Sequence, residues 1–296
     1  HRAWPRHELY DACHWCWPNP IASQPFHPLP DPVIAQPRRV PPITNSAAYG
    51  LSRALKILAN VSKGLVRVVY AVCPRWRLEI PASAPAWLRP GQRLLGANNP
   101  ARQRRQIPFV LWQTNYASRV TLPVKLNYYC NRLFAASCQY RFVSDAEIEA
   151  FVAQEFPGRI ERCYRRLAIG AAKADLWRLL VLYRFGGIYI DIDGHLVWPI
   201  DRLLKDDPSE LFVISKDGRY TNYFMASAPG NPHIQALIDE ALRRIENPTT
   251  NNVYHLTGPG LMDDLFAGVT CTTARVEEVC LQGNFTNKFF QYMDKP

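Results

Sequence analysis

Between Ala171 and Asp193 the chain reads A-A-K-A-D-L-W-R-L-L-V-L-Y-R-F-G-G-I-Y-I-D-I-D. Its first part predicts a helix over roughly 171–185, with Leu176, Leu179, Leu180 and Leu182 as packing residues. Gly186 suits the left-handed position that ends such a helix. Ile188 to Asp193 then predicts a strand. Side chains alternate along a strand, so Ile188, Ile190 and Ile192 are expected on a core face. Tyr189, Asp191 and Asp193 are expected together on the other, where the strand runs out at Gly194. Aspartate is a poor strand former, and a buried carboxylate without a partner is costly. Two hard oxygens on one face suit Mg²⁺ or Mn²⁺, which complete their shells with phosphate oxygens and water. A cation shared with a phosphorylated ligand is therefore expected here; the plain alternative is a pair of solvated strand-end aspartates. Asp175 and Arg178 are three apart and share a helical face; the plain alternative for them is a surface ion pair of little energetic weight.

The rest of the body alternates strands and helices. Phe109–Trp112, Tyr140–Val143, Leu211–Ser215 and Tyr223–Ala226 read as strands. Ser144-Asp145-Ala146-Glu147 is a capping box opening a helix that carries Ile148, Phe151 and Val152 on one face. Asn231-Pro232 opens another helix, to about Ile245, with asparagine as cap and proline in the first turn. This order predicts an α/β domain, with ligands beyond the carboxyl ends of the strands.

The N-terminal third differs. Residues 1–106 hold 15 Lys and Arg against 4 Asp and Glu, whereas 107–296 hold 20 against 21. The basic surplus is thus confined to the N-terminal third. Residues 1–45 are Pro-rich and are expected to be extended or disordered. Ser46 to Val72 reads as an amphipathic helix. Arg53, Lys56, Lys63 and Arg67 cluster within about an 80° arc, opposite Leu51, Leu55, Leu58, Val61, Leu65, Val69 and Val72. Two arrangements are open. The apolar side packs on the domain with the basic face in water, or residues 51–72 lie on an anionic membrane surface. A Pro-containing linker follows to about Gln106, so the chain divides as 1–45, 46–106 and 107–296. No stretch reads as a signal peptide or membrane span. The eight cysteines are too sparse for a disulfide scaffold, and Cys13 and Cys16 lack a second pair for a zinc site. These features fit a cytoplasmic protein, free or peripheral on the inner face of a membrane, and no nucleic-acid partner is expected.

The run D-x-x-R followed by L-Y-x-x-G-G-I-Y-x-D-x-D, from Asp175 to Asp193, closely resembles glycosyltransferase family 32. I-P-F-V-L-W-Q-T (Ile107–Thr114) is similar to that family's first strand. Asn222–Pro232 is similar to its N-x-F-M-A-S-x-P-x-H-P segment, and Thr257–Gly260 to its T-G-P turn. The resemblance covers about 107–262. It implies a GT-A-type nucleotide-sugar-binding fold with a mixed central sheet. It also implies a nucleotide-sugar donor, a glycan or other hydroxyl acceptor, a divalent metal (Mn²⁺ or Mg²⁺) and retention of anomeric configuration, in surface or capsular polysaccharide synthesis. Carried over, Asp193 binds metal directly and Asp191 touches both metal and donor ribose. Asp175 and Arg178 hold the donor sugar and its phosphate side, Tyr189 lines the pocket and Trp112 stacks on the nucleobase. Asp175, Arg178 and Asp193 form the catalytic set. The plain alternative for Trp112 is a core aromatic. The family's late H-x-x-x-S-W-like stretch is missing after Gly260, so the natural chain continues or the metal site is completed differently. His195 replaces an apolar residue of the family, and a surface histidine is expected there.

Two rival functions use the same sequence. D-I-D-G-H-L resembles the nucleophile loop of haloacid-dehalogenase-type phosphatases, which implies Asp191 as nucleophile. His195 in place of threonine, the mid-chain position and the missing G-D-x-x-x-D oppose it. A non-catalytic basic binding protein acting through residues 1–106 is the other.

Overall fold

The fold was obtained as a computed structural model, which describes residues 42–81, 105–250 and 252–285. The expectations for residues 1–41, including the Cys13/Cys16 pair, and for most of the linker lie outside the described residues. In chain order the elements are α1 (Ser46–Val72), β1 (Leu78–Glu79), β2 (Val110–Asn115), β3 (Arg119–Val120), α2 (Leu122–Phe134) and β4 (Gln139–Ser144). Then come α3 (Asp145–Glu155), α4 (Arg159–Arg166), α5 (Gly170–Phe185), β5 (Gly187–Ile190), β6 (Gly194–Leu196), α6 (Ile200–Leu203), β7 (Glu210–Ile214) and β8 (Tyr220–Ser227). The last are α7 (Pro232–Glu246), α8 (Val253–Leu256), α9 (Pro259–Leu265), β9 (Thr273–Arg275), α10 (Val276–Val279) and β10 (Cys280–Gln282).

Six strands form one mixed sheet in the order β4-β2-β5-β8-β7-β9. β2 lies parallel to both β4 and β5, β8 runs antiparallel to β5 and β7, and β9 is parallel to β7. Helices cover both faces. On one, α5 and α7 bury Leu176, Trp177, Leu180 and Leu237 against Tyr189, Phe212 and Met225. On the other, Leu111, Ile188, Ile190, Val213 and Phe224 pack with Val124, Tyr128 and Leu196. The alternation in β5 follows from this: isoleucines face one core and Tyr189 the other.

Local chemistry sets the element ends. Ser144 N–H donates to Glu147 Oε2 at 2.7 Å, closing the capping box of α3. Asn231 Oδ1 accepts from His233 N and Ile234 N at the start of α7. Between α5 and β5 the chain reverses through Gly186 (φ +66°) and Gly187 (φ +109°). A Cβ on Gly187 would lie 2.7 Å from the Val110 carbonyl oxygen and 2.9 Å from Trp112 Nε1. Only glycine fits there, in both conformation and space.

Two expectations are corrected. β5 ends at Ile190, and Asp191–Asp193 form a turn in which Gly194 N–H donates to the Asp191 carbonyl at 2.8 Å. Gly194 then opens β6, which pairs with β10 outside the main sheet. Helix α1 has its expected bounds, but of its predicted apolar face Leu58, Val61, Leu65 and Val72 are exposed and Leu51, Leu55 and Val69 only partly buried. Ala48, Ser52, Ala59, Val66 and Tyr70 face inward instead. Small residues let the helix backbone come close. Glu278 fixes its start by accepting from Thr44 N, Thr44 Oγ1 and Asn45 N, and near its end Tyr70 Oη accepts from Leu122 N at 2.7 Å.

Candidate active site

Three separate blocks of sequence meet at the first half of α5. Asp175 and Arg178 are 7% and 4% exposed, which excludes the alternative of a surface ion pair. Arg178 Nη2 lies 2.9 Å from Asp175 Oδ1 and 3.1 Å from Asp191 Oδ1. Asn222 of β8 donates its Nδ2 to Asp175 Oδ1 at 2.9 Å, while its backbone carbonyl accepts from Arg178 Nη1. Thr257, after α8, donates Oγ1 to Asp175 Oδ2 at 3.2 Å. Both carboxylate oxygens of Asp175 are thus bonded.

Burial pushes the Asp175 carboxyl up to about 6, against the opposing pull of Arg178. Burial alone would lower the Arg178 pKa, but Asp191, Tyr189 and Asp175 raise it, so the guanidinium stays charged. It also sits over the Tyr189 ring, 4.5 Å from the centroid. That stacking and the two carboxylates are why an arginine can be held dry here.

The Asp191–Asp193 turn lies directly beyond. Tyr189 Oη donates to Asp191 Oδ1 at 2.7 Å, and Gln113 Nε2 donates to the Asp191 backbone carbonyl at 3.2 Å. The two carboxylates converge although no strand carries them. Gln282 Nε2 donates to Asp191 Oδ2 at 3.2 Å and to Asp193 Oδ1 at 3.0 Å. The register that pairs Gln282 with Gly194 brings this side chain to the turn. Asp175 and Asp191 bring two carboxylates to one guanidinium, and Asp193 lies near enough to favour its charge further. The point faced by Asp191 Oδ2 and Asp193 Oδ1 is served by the positive end of an exposed amide. Two carboxylate oxygens turned toward one electropositive group fit a hard divalent cation.

The structure therefore brings Asp175, Arg178, Tyr189, Asp191 and Asp193 together. Tyr189 is buried, with its hydroxyl committed to Asp191. Trp112 lies beside Tyr189 in the sheet register, but its indole N–H donates to the Gly186 carbonyl at 3.0 Å and its ring stacks on Phe185. Those contacts lie at the opposite end of β5 from the aspartates. His195 is fully buried, which corrects the expected surface position. Asn284 Nδ2 meets its Nε2 at 3.0 Å, Phe285 packs edge-on, and burial lowers its pKa to about 4. Asn222 and Thr257 stood out in the sequence only as motif members, not as partners of Asp175. Gln113 likewise stood out only as a member of the first-strand motif, and Gln282 gave no signal, because only the tertiary fold places them beside Asp191.

Residues 123–210 match the model of the glycosyltransferase sugar-binding region containing a DXD motif. A curated relative, the initiation-specific alpha-1,6-mannosyltransferase of Schizosaccharomyces pombe, is 24% identical over 192 residues, which are 53% of this chain and 47% of the relative. The chain thus spans about half the length of the curated relative it matches. Among solved structures, the PaToxG glycosyltransferase has a TM-score of 0.44 at 14% identity, covering 61% of this chain and 74% of that one. The UDP-bound glycosyltransferase domain of the YGT toxin has a TM-score of 0.32 at 14% identity, covering 48% and 53%.

Proposed function

We propose that this chain, whose residues 123–210 match the DXD-containing glycosyltransferase sugar-binding region, is a family-32-type enzyme that moves a hexose from a nucleotide-diphosphate sugar to a glycan hydroxyl with retention of configuration. The observation that carries this reading is the convergence of Asp191 Oδ2 and Asp193 Oδ1 on one donor nitrogen beside the buried Arg178. In this reading Asp191 and Asp193, whose Oδ2 and Oδ1 now accept from the Gln282 amide, would hold Mn²⁺ or Mg²⁺. The cation would supply Lewis-acid neutralisation of the diphosphate leaving group.

The remaining work belongs to the chain's own side chains. Arg178 fixes Asp191 and Asp175 in one geometry, and its permanent charge favours the phosphate side of the donor. Tyr189 and Gln113 hold Asp191 from its side chain and its backbone. Asp175, steadied by Asn222 and Thr257, presents its oxygens to sugar hydroxyls. Because both oxygens already accept hydrogen bonds, Asp175 is a poor nucleophile. We therefore favour same-face substitution, in which the departing phosphate oxygen takes the acceptor's proton. Catalysis then rests on positioning and charge stabilisation.

The surface of α1 adds a place of action. Ile57, Leu58, Val61, Leu65, Val68 and Val72 are 57–77% exposed. At 100° per residue they form one stripe about 100° wide, pointing away from the inward face. Arg53, Lys56, Lys63 and Arg67 lie along one edge of it. No helix among the described residues is long and apolar enough to cross a membrane. An apolar stripe bordered by cations fits the surface of an anionic bilayer, and the reading puts the enzyme there as a peripheral protein.

The direct experiment screens nucleotide hexoses with Mn²⁺ and Mg²⁺ for donor hydrolysis and thermal stabilisation. Asp193→Ala is expected to abolish both metal-dependent responses. A response unchanged in that variant removes the metal assignment.

A further inference from the structure

A second cluster of donor atoms lies away from the aspartates. Glu210 opens β7, His233 sits in the first turn of α7, and Cys271 lies in the loop ahead of β9. His233 Nδ1 is 2.8 Å from both Glu210 carboxylate oxygens and 3.8 Å from Cys271 Sγ. The three groups offer donor atoms within 4.8 Å of one another. A single N–H cannot point at two oxygens and a sulfur together, whereas a cation between them meets all three. In a tetrahedral site with bonds of about 2.0–2.3 Å, donors sit roughly 3.3–3.8 Å apart, so only small shifts are required.

We infer that Glu210, His233 and Cys271 form a separate metal centre that takes Zn²⁺. Imidazole and thiolate select a borderline-soft ion over Mg²⁺ or Mn²⁺. A dication with one carboxylate, one thiolate and one neutral imidazole is electrically neutral, which suits a carboxylate only 4% exposed. Binding releases the protons of His233 Nδ1 and Cys271 Sγ to solvent. Asn231 Nδ2 already donates to Glu210 Oε2 at 2.9 Å, as outer partners of metal ligands do. His233 and Cys271 are only partly buried, which leaves an entry path and a fourth position for water.

The centre is distinct from the DXD turn. Glu210 pairs with Ser227 and Ser227 with Gly187, so it lies level with the first residue of β5. Asp191 follows the last. That separates the two by about 13 Å along the strand and two strands across. The role that follows is a staple joining β7, the start of α7 and the loop into β9.

The test uses the full chain carrying Cys13→Ser and Cys16→Ser, so that the N-terminal C-x-x-C does not compete. The protein is stripped with chelator and titrated with Co²⁺, then Zn²⁺. A thiolate-to-cobalt charge-transfer band is expected, saturating at a single equivalent and displaced by Zn²⁺. Cys271→Ser and His233→Gln should lose the band, while Asp193→Ala keeps it. Zn²⁺ should also slow alkylation of Cys271, followed by peptide mapping, by about tenfold or more, since a metal-held thiolate is withdrawn from attack. No band in the parent protein, or a band that survives Cys271→Ser, overturns the assignment. If either variant folds poorly, alkylation of the parent decides alone: an unchanged rate with Zn²⁺ overturns it.

Discussion

Tyr189 Oη lies 2.7 Å from Asp191 Oδ1, across the point where β5 ends and the acidic turn begins. The ring packs against two neighbours, with the Arg178 guanidinium 4.5 Å from its centroid and Trp177 edge-on at 6.0 Å. A buried phenol whose pKa is raised by its surroundings stays a donor at all ordinary pH. It therefore holds one oxygen of Asp191 and leaves the other, Oδ2, for the site.

Tyr189→Phe keeps the ring packing and removes that single donor. The expected loss of folding stability is about 1.5–3 kcal/mol, the range for a hydrogen bond to a charged group. Metal-induced thermal stabilisation should shrink as well, because Asp191 is no longer oriented. Urea unfolding and thermal melts with and without Mn²⁺ separate the two effects. An unchanged metal response shows that Tyr189 does not position Asp191.

Arg178 carries the largest penalty in the site. Its removal leaves the buried carboxylate of Asp175 without its cation, beside the partly exposed Asp191. Arg178→Ala is expected to cost about 3–5 kcal/mol, read as a lower urea midpoint. Arg178→Lys should recover part of the stability but little donor hydrolysis, since an ammonium cannot span two carboxylates and a carbonyl in one plane. A lysine variant with full hydrolysis contradicts the positioning role.

Much of this arrangement was legible in the chain, and the limits have physical causes. The α5–Gly-Gly–β5 unit was readable because helical and strand periods meet at two glycines. Burial of Asp175 and Arg178 was not, because Asn222 and Thr257 come from 44 to 82 residues away in sequence. Alternation placed Asp191 and Asp193 on one strand face, whereas they converge from a turn through Gln282, 89 residues beyond Asp193. The inward face of α1 escaped notice because Ala48, Ser52 and Ala59 carry little hydrophobicity. Their value lies in close approach, which no hydropathy pattern records.

Stability should depend on pH through Asp175. Its carboxyl titrates at about 6 in the folded chain, against 3.8 as the ordinary value, because burial disfavours the charge. Between these pH values the folded state holds a proton that the unfolded state has lost. Its stabilising contribution is complete below about pH 4 and disappears as pH rises through about 6. Melts of metal-free protein should show that decline, on the order of 3 kcal/mol, and Asp175→Asn should lack it. An identical pH profile in the variant assigns the decline to another group.

The exposed stripe of α1 gives the last prediction. Six large apolar side chains in water beside four cations are an arrangement that a lipid surface relieves twice, by burying the stripe and by attracting the charges. Binding to vesicles containing phosphatidylserine is expected, with much weaker binding to neutral phosphatidylcholine. High salt should weaken it, because the basic contribution is screened beyond about 3 Å at 1 M. Val61→Asp with Leu65→Asp places two charges in the centre of the stripe and should abolish sedimentation with vesicles. Donor hydrolysis should survive, since α1 is anchored through Glu278 and Tyr70 on its other face. A wild-type chain that ignores anionic vesicles but dimerises in solution, and becomes monomeric in the double variant, assigns the stripe to a second copy and refutes the membrane role.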